Sequence, residues 1–481
     1  MPTQRDKRHP LRGALKALAA IWLGAALAAD RDLKRERRRR QGLADSIAPS
    51  SAAAAASPVA DDDRAGAGRA PLLRRGWVQL WAAMALLGLV VVIFAGVAVA
   101  RGWFDDGDIT GTSEGFVAAA APAGTAAAAS WPEYGFDHQR TRANPALRMR
   151  PPFEETWSFD AGSLLEFPPV IAEGRAIVGT NAGLGLAVDT QTGRELWRVR
   201  LRGRVASSPA IAGDLALFTT INGRFVAVEA ATGRVVWRVN LGGGSESSPL
   251  VIDGDAYIGT LDGRVMRYDL ERKRPVWVAR ATGEVKASLA QAGPNVIVGD
   301  YGGNVSAFSR RDGSLAWRTK SPAPALRGPG RFYAGPAVAY GRVYVGNING
   351  RVLGLSARTG DVSWVRSADD WVYSSAAVAN QTIFIGSYDE RLYALDAVTG
   401  LPKWTFPAGE RISGSPSVIG DLVYVSTIAR NPKDGRTFAL DVDTGRRVWQ
   451  FPDGRYSPAV AVDGLMVLTG VRTMYGFVPA G

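Results

Sequence analysis

No cysteine occurs among the 481 residues, and histidine is reduced to His9 and His138. Disulfides, thiolate metal sites and cysteine nucleophiles are therefore excluded. With so little imidazole, histidine-based catalysis or metal ligation is not the organising chemistry. The absence of cysteine leaves the compartment open. Acidic residues are the minority, 45 Asp and Glu against 57 Lys and Arg, for a net charge of +12. That excess is unevenly placed. Residues 1–76 hold 16 Lys and Arg against 8 acids, whereas residues 101–130 hold one arginine against four acids. Much of the basicity thus lies at one end of the chain, and no nucleic-acid partner is expected.

Long apolar runs are equally scarce, with one exception. Val78 to Ala100 reads VQLWAAMALLGLVVVIFAGVAVA without a charge. A helix of that length spans roughly 35 Å, enough for a hydrocarbon core of about 30 Å. Trp77 and Trp81 at one end, with Trp103 and Phe104 at the other, suit interfacial anchors. A buried core helix and a cleaved signal peptide are the rival readings. The run is long for the first and far from the N-terminus for the second. Residues 77–100 are therefore expected to be one transmembrane helix. Arg74, Arg75 and the basic run Arg31 to Arg40 place residues 1–76 in the cytoplasm and everything after the span outside it. Within that tail, 11–29 is expected as an amphipathic helix on the membrane surface, with a second span as the alternative. The rest of the tail and the Ala- and Gly-rich linker 101–130 have little to bury and are expected to be disordered or flexible.

The most regular feature lies beyond the linker. Trp157, Trp197, Trp237, Trp277, Trp317, Trp364, Trp404 and Trp449 are spaced by 40, 40, 40, 40, 47, 40 and 45 residues. A period of about 40 to 45 residues is that of a four-stranded propeller blade. In residues 207–241, short apolar strands are punctuated by Gly213-Asp214, Asn222-Gly223 and Thr232-Gly233, as in an antiparallel meander. A turn glycine recurs at the first corner of most units, with Asn380 in one place, and Lys273-Arg274 breaks the Thr-Gly pattern at one last corner. The final unit, from Tyr456 to Val478, supplies only three strands, while Phe153–Phe159 has no unit of its own. The fold class follows: an all-β, eight-bladed β-propeller over 131–481, its last blade closed by that N-terminal strand, preceded by a single transmembrane helix.

The pattern A-x-D-x-x-T-G-x-x-x-W, seen at Ala187–Trp197, Ala394–Trp404 and Ala439–Trp449, resembles the tryptophan-docking repeat of pyrroloquinoline-quinone (PQQ) proteins. The stretch from Trp131 to Asp137 is similar to the lead-in of quinoprotein dehydrogenases. The resemblance implies that the eight tryptophans are structural and stack between blades. It brings two functional expectations. One is a non-enzymatic scaffold, similar to the propeller lipoprotein of the bacterial outer-membrane β-barrel assembly machinery. The other is a membrane-bound quinoprotein dehydrogenase oxidising an alcohol or sugar, with PQQ over Ca²⁺ on the axis. The vicinal disulfide frequent in such enzymes is impossible here, and the long interblade insertions that build their lid are lacking. The scaffold is preferred, with no cofactor and no metal expected.

Loops entering the innermost strands should rim one mouth of the channel. They bring Glu166, Ala206, Glu246, Lys286, Tyr333, Tyr373, Ser413 and Arg455 together. Of these, Glu166, Glu246, Lys286, Tyr333, Tyr373 and Arg455 are candidate ligand or partner contacts. Arg327, Arg331 and Phe332, with Asp369, Asp370 and Trp371 in the next loop, are candidate partner residues, because exposed aromatics and arginine suit interface hot spots. A protein partner in the cell envelope and a monomeric propeller are expected.

Overall fold

The computed structural model describes residues 84–93, 107–118, 129–322, 330–431, 434–456 and 459–480. The tail 1–76, expected in the cytoplasm, the expected helix 11–29 and most of the expected span 77–100 lie outside the described residues. Residues 84–93 are helical with exposed apolar side chains. Among the described residues, no helix is long and apolar enough to cross a membrane.

Among the described residues eight sheets follow one another along the chain, seven of four antiparallel strands and one, blade 7, with Ala143–Asn144 added in parallel at its inner edge. Blade 2 is representative, with strands Ala210–Ala212, Leu215–Thr219, Arg224–Glu229 and Val235–Asn240. Burial is greatest in the two middle strands and least in the outermost. The second strand is buried almost throughout, whereas the fourth exposes alternate residues and turns mainly Trp237 inward. The innermost strands neighbour one another round the ring, and Ala459–Val462 of blade 8 meets Val170–Ala172 of blade 1. Closure occurs as expected: Phe153–Asp160 pairs antiparallel with Thr473–Pro479 as the outer strand of blade 8.

Each outermost strand is bulged at the same place. The residue just before the tryptophan is skipped in the ladder, for example Leu196 between the pairs Val188–Glu195 and Ala187–Trp197. A bulge re-aims the next side chain, here turning the indole toward the following blade and the skipped Leu196, Val236 and Val276 outward. Six indoles donate to a carbonyl of the next blade, as Trp197 does to Ala230 at 2.9 Å and Trp364 to Ala397 at 3.1 Å. Their faces lie on the Thr-Gly corner: a Cβ on Gly400 would fall 2.6 Å from the Trp364 ring, at a φ of +71°. Both contact and backbone therefore require glycine there. Blade 3 departs as its sequence implies. Lys273 takes the positive φ, and Arg267 stands opposite Trp277 where most blades have alanine or glycine. Its guanidinium is held by Asp255 at 2.6 Å and by the Arg310 carbonyl of blade 4 at 3.2 Å.

Two segments depart from expectation. The linker 101–130 is not free throughout. Ile109 bridges Val365 at the outer edge of blade 5, and Asp108 accepts hydrogen bonds from Arg366, Ser367 N and Ser367 Oγ at 2.7–2.8 Å. Further along, Arg342, with 1% of its surface exposed, donates to the Thr112 and Glu114 carbonyls, and Phe116 packs on Tyr340. Polar anchors at both ends turn residues 107–118 into a docked strap. The second segment, 131–144, crosses the channel. Its backbone bonds the innermost strands of blades 1, 2, 4, 5, 6 and 7 through Ile171, Ile211, Gln291, Val338, Val378 and Val418. Arg140, fully buried, reaches the Pro249 and Leu289 carbonyls of blades 3 and 4 at 3.0 and 2.9 Å.

Candidate functional site

Above the crossing segment the channel opens into a cavity of about 330 Å³ on the face carrying the interblade loops. The expected rim residues Glu166, Lys286, Tyr333, Tyr373 and Ser413 all line it. Glu246 joins from the side, 3.7 Å from the Lys286 ammonium. Arg455 packs its guanidinium over Tyr456, which is part of the wall. Ala206 is buried.

The floor is Tyr134 of the crossing segment. Its hydroxyl lies 3.0 Å from Ser415 Oγ and its ring lies under the Arg142 guanidinium at 4.4 Å. Burial works to raise the Tyr134 pKa, but the Arg142 charge and the serine hydroxyls outweigh it, and the net shift is downward. At the wall, Glu166 is shifted up by desolvation, against the pull of Arg204. Tyr301 is pushed up to about 12, chiefly by burial, and Tyr333 is raised further for the same reason.

One side of the mouth is a continuous aromatic surface. Tyr333 meets Tyr373 edge to face with centroids 5.1 Å apart, Tyr373 meets Tyr388 at 4.9 Å, and Trp371 meets Tyr388 at 5.9 Å. Lys286 and Arg331 both lie over Tyr301, and Arg411 lies over Tyr388. Trp371 remains 48% exposed at the outer edge of this surface.

The partner-loop residues divide. Arg331 and Trp371 are exposed, as expected. Phe332 is not: it is completely buried. The reason is register. Phe332 occupies the position held by Val205, Val285, Val372 and Ile412 in other blades, where the side chain covers a strand glycine of the preceding sheet. The longer spacing between Trp317 and Trp364 hid that equivalence. Asp369 is tied to Arg391 at 2.8 Å, and Asp370 accepts from the Trp371 amide. Arg327 lies outside the described residues.

Sequence reasoning missed Tyr134, Tyr301, Tyr388 and Tyr456 in the wall and floor. It also missed a belt of serines beneath them. Ser208 N donates to Ser248 Oγ, Ser248 N to Ser288 Oγ, Gly335 N to Ser375 Oγ and Ser375 N to Ser415 Oγ, each reaching the next blade. The recurring serine before proline was the available signal.

The family model for the outer membrane protein assembly factor BamB matches this chain in overlapping stretches, 152–247, 187–323, 222–370 and 367–478. None of the curated proteins matches the sequence. Solved structures share the fold at low identity. BamB from Moraxella catarrhalis is 16% identical with a TM-score of 0.56, over 68% of this chain and 99% of that one. The quinohemoprotein alcohol dehydrogenase of Comamonas testosteroni is 16% identical with a TM-score of 0.62, over 75% and 82%. A europium-containing methanol dehydrogenase is 14% identical with a TM-score of 0.61, over 73% and 98%.

Proposed function

The chain belongs to the family of the outer membrane protein assembly factor BamB, and from that premise we propose that it is a non-enzymatic protein-interaction scaffold of the cell envelope. In this reading residues 77–100 anchor it by one span, with the N-terminus cytoplasmic and a monomeric propeller on the extracytoplasmic side. The observation that carries the reading is the aromatic side of the mouth. Trp371 stands half exposed on a tyrosine cluster whose wall also carries Arg331 over Tyr301, a pairing of residue types that anchors interfaces. A closed ring presents such a surface without reorganisation, which lowers the cost of association.

The competing reading, a PQQ- and Ca²⁺-dependent dehydrogenase, is supported by the fold shared with alcohol dehydrogenases. The residues at the mouth fit that pair poorly. Ca²⁺ requires six to eight converging oxygens, normally with several carboxylates. Here the lining carboxylate is Glu166, Glu246 is engaged by Lys286, and that ammonium itself lines the cavity. Among the described residues, no three His, Asp or Glu side chains come together as a metal site.

A photoreactive residue at 331 or 371, activated in intact cells, tests the scaffold. Both positions are expected to capture the same protein, and position 278 on the outer edge of blade 3 is not. Dye-linked alcohol oxidation by the chain after loading with PQQ and Ca²⁺ would replace the scaffold with the enzyme.

A further inference from the structure

The mouth carries hydrogen-bonding groups that the fold does not use. The hydroxyls of Tyr301, Tyr333, Tyr373, Tyr388 and Tyr456 have no partner among the described residues, although all five side chains line one cavity. Several tyrosines elsewhere are paired, although the buried Tyr424 hydroxyl has no partner among the described residues. Tyr344 donates to the Ala397 carbonyl, and Tyr393 and Tyr475 donate to the carboxylates of Asp389 and Asp453. These five hydroxyls open into the cavity and are not sealed inside the fold, so they are available to donate to and accept from a ligand held there. We propose that the cavity binds a neutral saccharide of one or two pyranose rings, stacked on the tyrosine faces and hydrogen-bonded by their hydroxyls. The proposal goes beyond the scaffold reading and shares with it only the use of this face as a binding surface.

Three features select this class of ligand. First, tyrosine rings present electron-rich faces, and the C–H groups on one side of a pyranose are a weakly positive apolar surface that packs on them. Tyr333 and Tyr373 meet at 74° and Tyr373 and Tyr388 at 39°, so neighbouring faces hold a ring from more than one side. Second, hydroxyls both donate and accept by rotation, which suits the mixed donors and acceptors of a polyol. An extended peptide would need free backbone groups instead. In the lining, the amides of Gly335 and Ser375 are already taken by the serine belt. Third, the charged lining residues are one acid, Glu166, and one base, Lys286, and the base is offset by Glu246 and Glu284 at 3.7 and 3.8 Å. Arg331, Arg411 and Arg455 also lie over lining tyrosines, so the mouth sets four cations against three acids, a near balance that gives little preference to a charged ligand. Its volume of about 330 Å³ lies at the small end of ligand sites, which limits the occupant to a short unit or a chain end.

The test is saturation-transfer NMR on the full-length chain, held in a sugar-free detergent, with methyl glucoside, cellobiose and N,N′-diacetylchitobiose at millimolar concentration. At least one is expected to show transfer concentrated on its ring C–H protons. Tyr373→Ala should weaken binding roughly tenfold, the loss of about 1.4 kcal/mol of stacking. Tyr333→Phe, which removes one oxygen and preserves packing, should weaken it by a smaller factor. Tyr333→Phe should leave partner capture from position 371 unchanged, which separates the two readings. No transfer to any of the three sugars, or transfer indifferent to Tyr333→Phe, overturns the proposal.

Discussion

Asp137 sits in the segment that crosses the channel, half-buried with its carboxyl turned onto Thr141. Its oxygens accept hydrogen bonds from the Thr141 amide at 2.9 Å and hydroxyl at 2.5 Å. These favour the charged form, yet desolvation is stronger and pushes the pKa up to about 6. Next to it, the hydrogen bond to Glu133 raises His138 above its ordinary value. Both groups hold protons more tightly folded than unfolded, so both contribute stability that is lost as pH rises. For Asp137 the loss runs from about pH 4, near its unfolded pKa, to about pH 6, and amounts to about 3 kcal/mol. For His138 it begins near pH 6.5 and extends upward. The propeller is therefore expected to melt at lower temperature at pH 7 than at pH 5. Thermal unfolding of Asp137→Asn across that range checks this, since the variant should lose most of the drop. An identical pH profile in the variant would show that the carboxyl is ionised throughout.

Elements were legible in the sequence to the extent that they repeat. Strand, turn and closing strand follow from a period that every blade shares, because each blade must bury the same faces and turn the same corners. What repetition does not carry was harder to read. Phe332 looked exposed because an insertion displaced it from its equivalents, and the wall tyrosines belong to second-to-third strand turns and to loops that differ between blades. The strap 107–118 was misread as linker because it opens into the Ala-rich run that follows and was read with it as one stretch. Composition reports how little a segment buries by itself, whereas here the anchors lie on the receiving blade, in Arg342, Arg351 and Arg366. At Gly111 that fit is close: a Cβ would fall 2.3 Å from the Val398 carbonyl and 2.9 Å from the Trp364 ring. Gly111→Ala is thus expected to lift the strap without unfolding the propeller. Hydrogen exchange should quicken by at least about tenfold at the amides of Ile109, Gly111, Val117 and Val365, which pair across this contact. Unchanged protection at those four amides would mean that the strap tolerates the methyl group.

At the scale of the whole molecule, stability depends on how the ring is closed. A linear stack of sheets behaves as a chain of nearest neighbours, each blade melting with limited reference to distant ones. Closure removes that freedom, because losing any one blade interface leaves the others still held at both ends. The closing contact here is the pairing of Phe153–Asp160 with Thr473–Pro479, reinforced by Trp157, whose indole donates to the Thr190 carbonyl of blade 1 at 2.8 Å. Gly476 lies directly opposite that indole, where a Cβ would come within 2.2 Å of it. Ending the chain after Gly470 removes the middle of this contact, including buried Met474 and Phe477. Their exposure alone costs at least about 3 kcal/mol. The larger effect should be on cooperativity. The full chain is expected to unfold in one transition that coincides by tryptophan fluorescence and far-ultraviolet circular dichroism. The shortened chain should unfold broadly, with the two signals separating, and should self-associate through the freed edge of Leu465–Thr469. Coincident signals and a sharp transition in the shortened chain would show instead that the blade interfaces, with their docked indoles, hold the ring without a covalently continuous clasp.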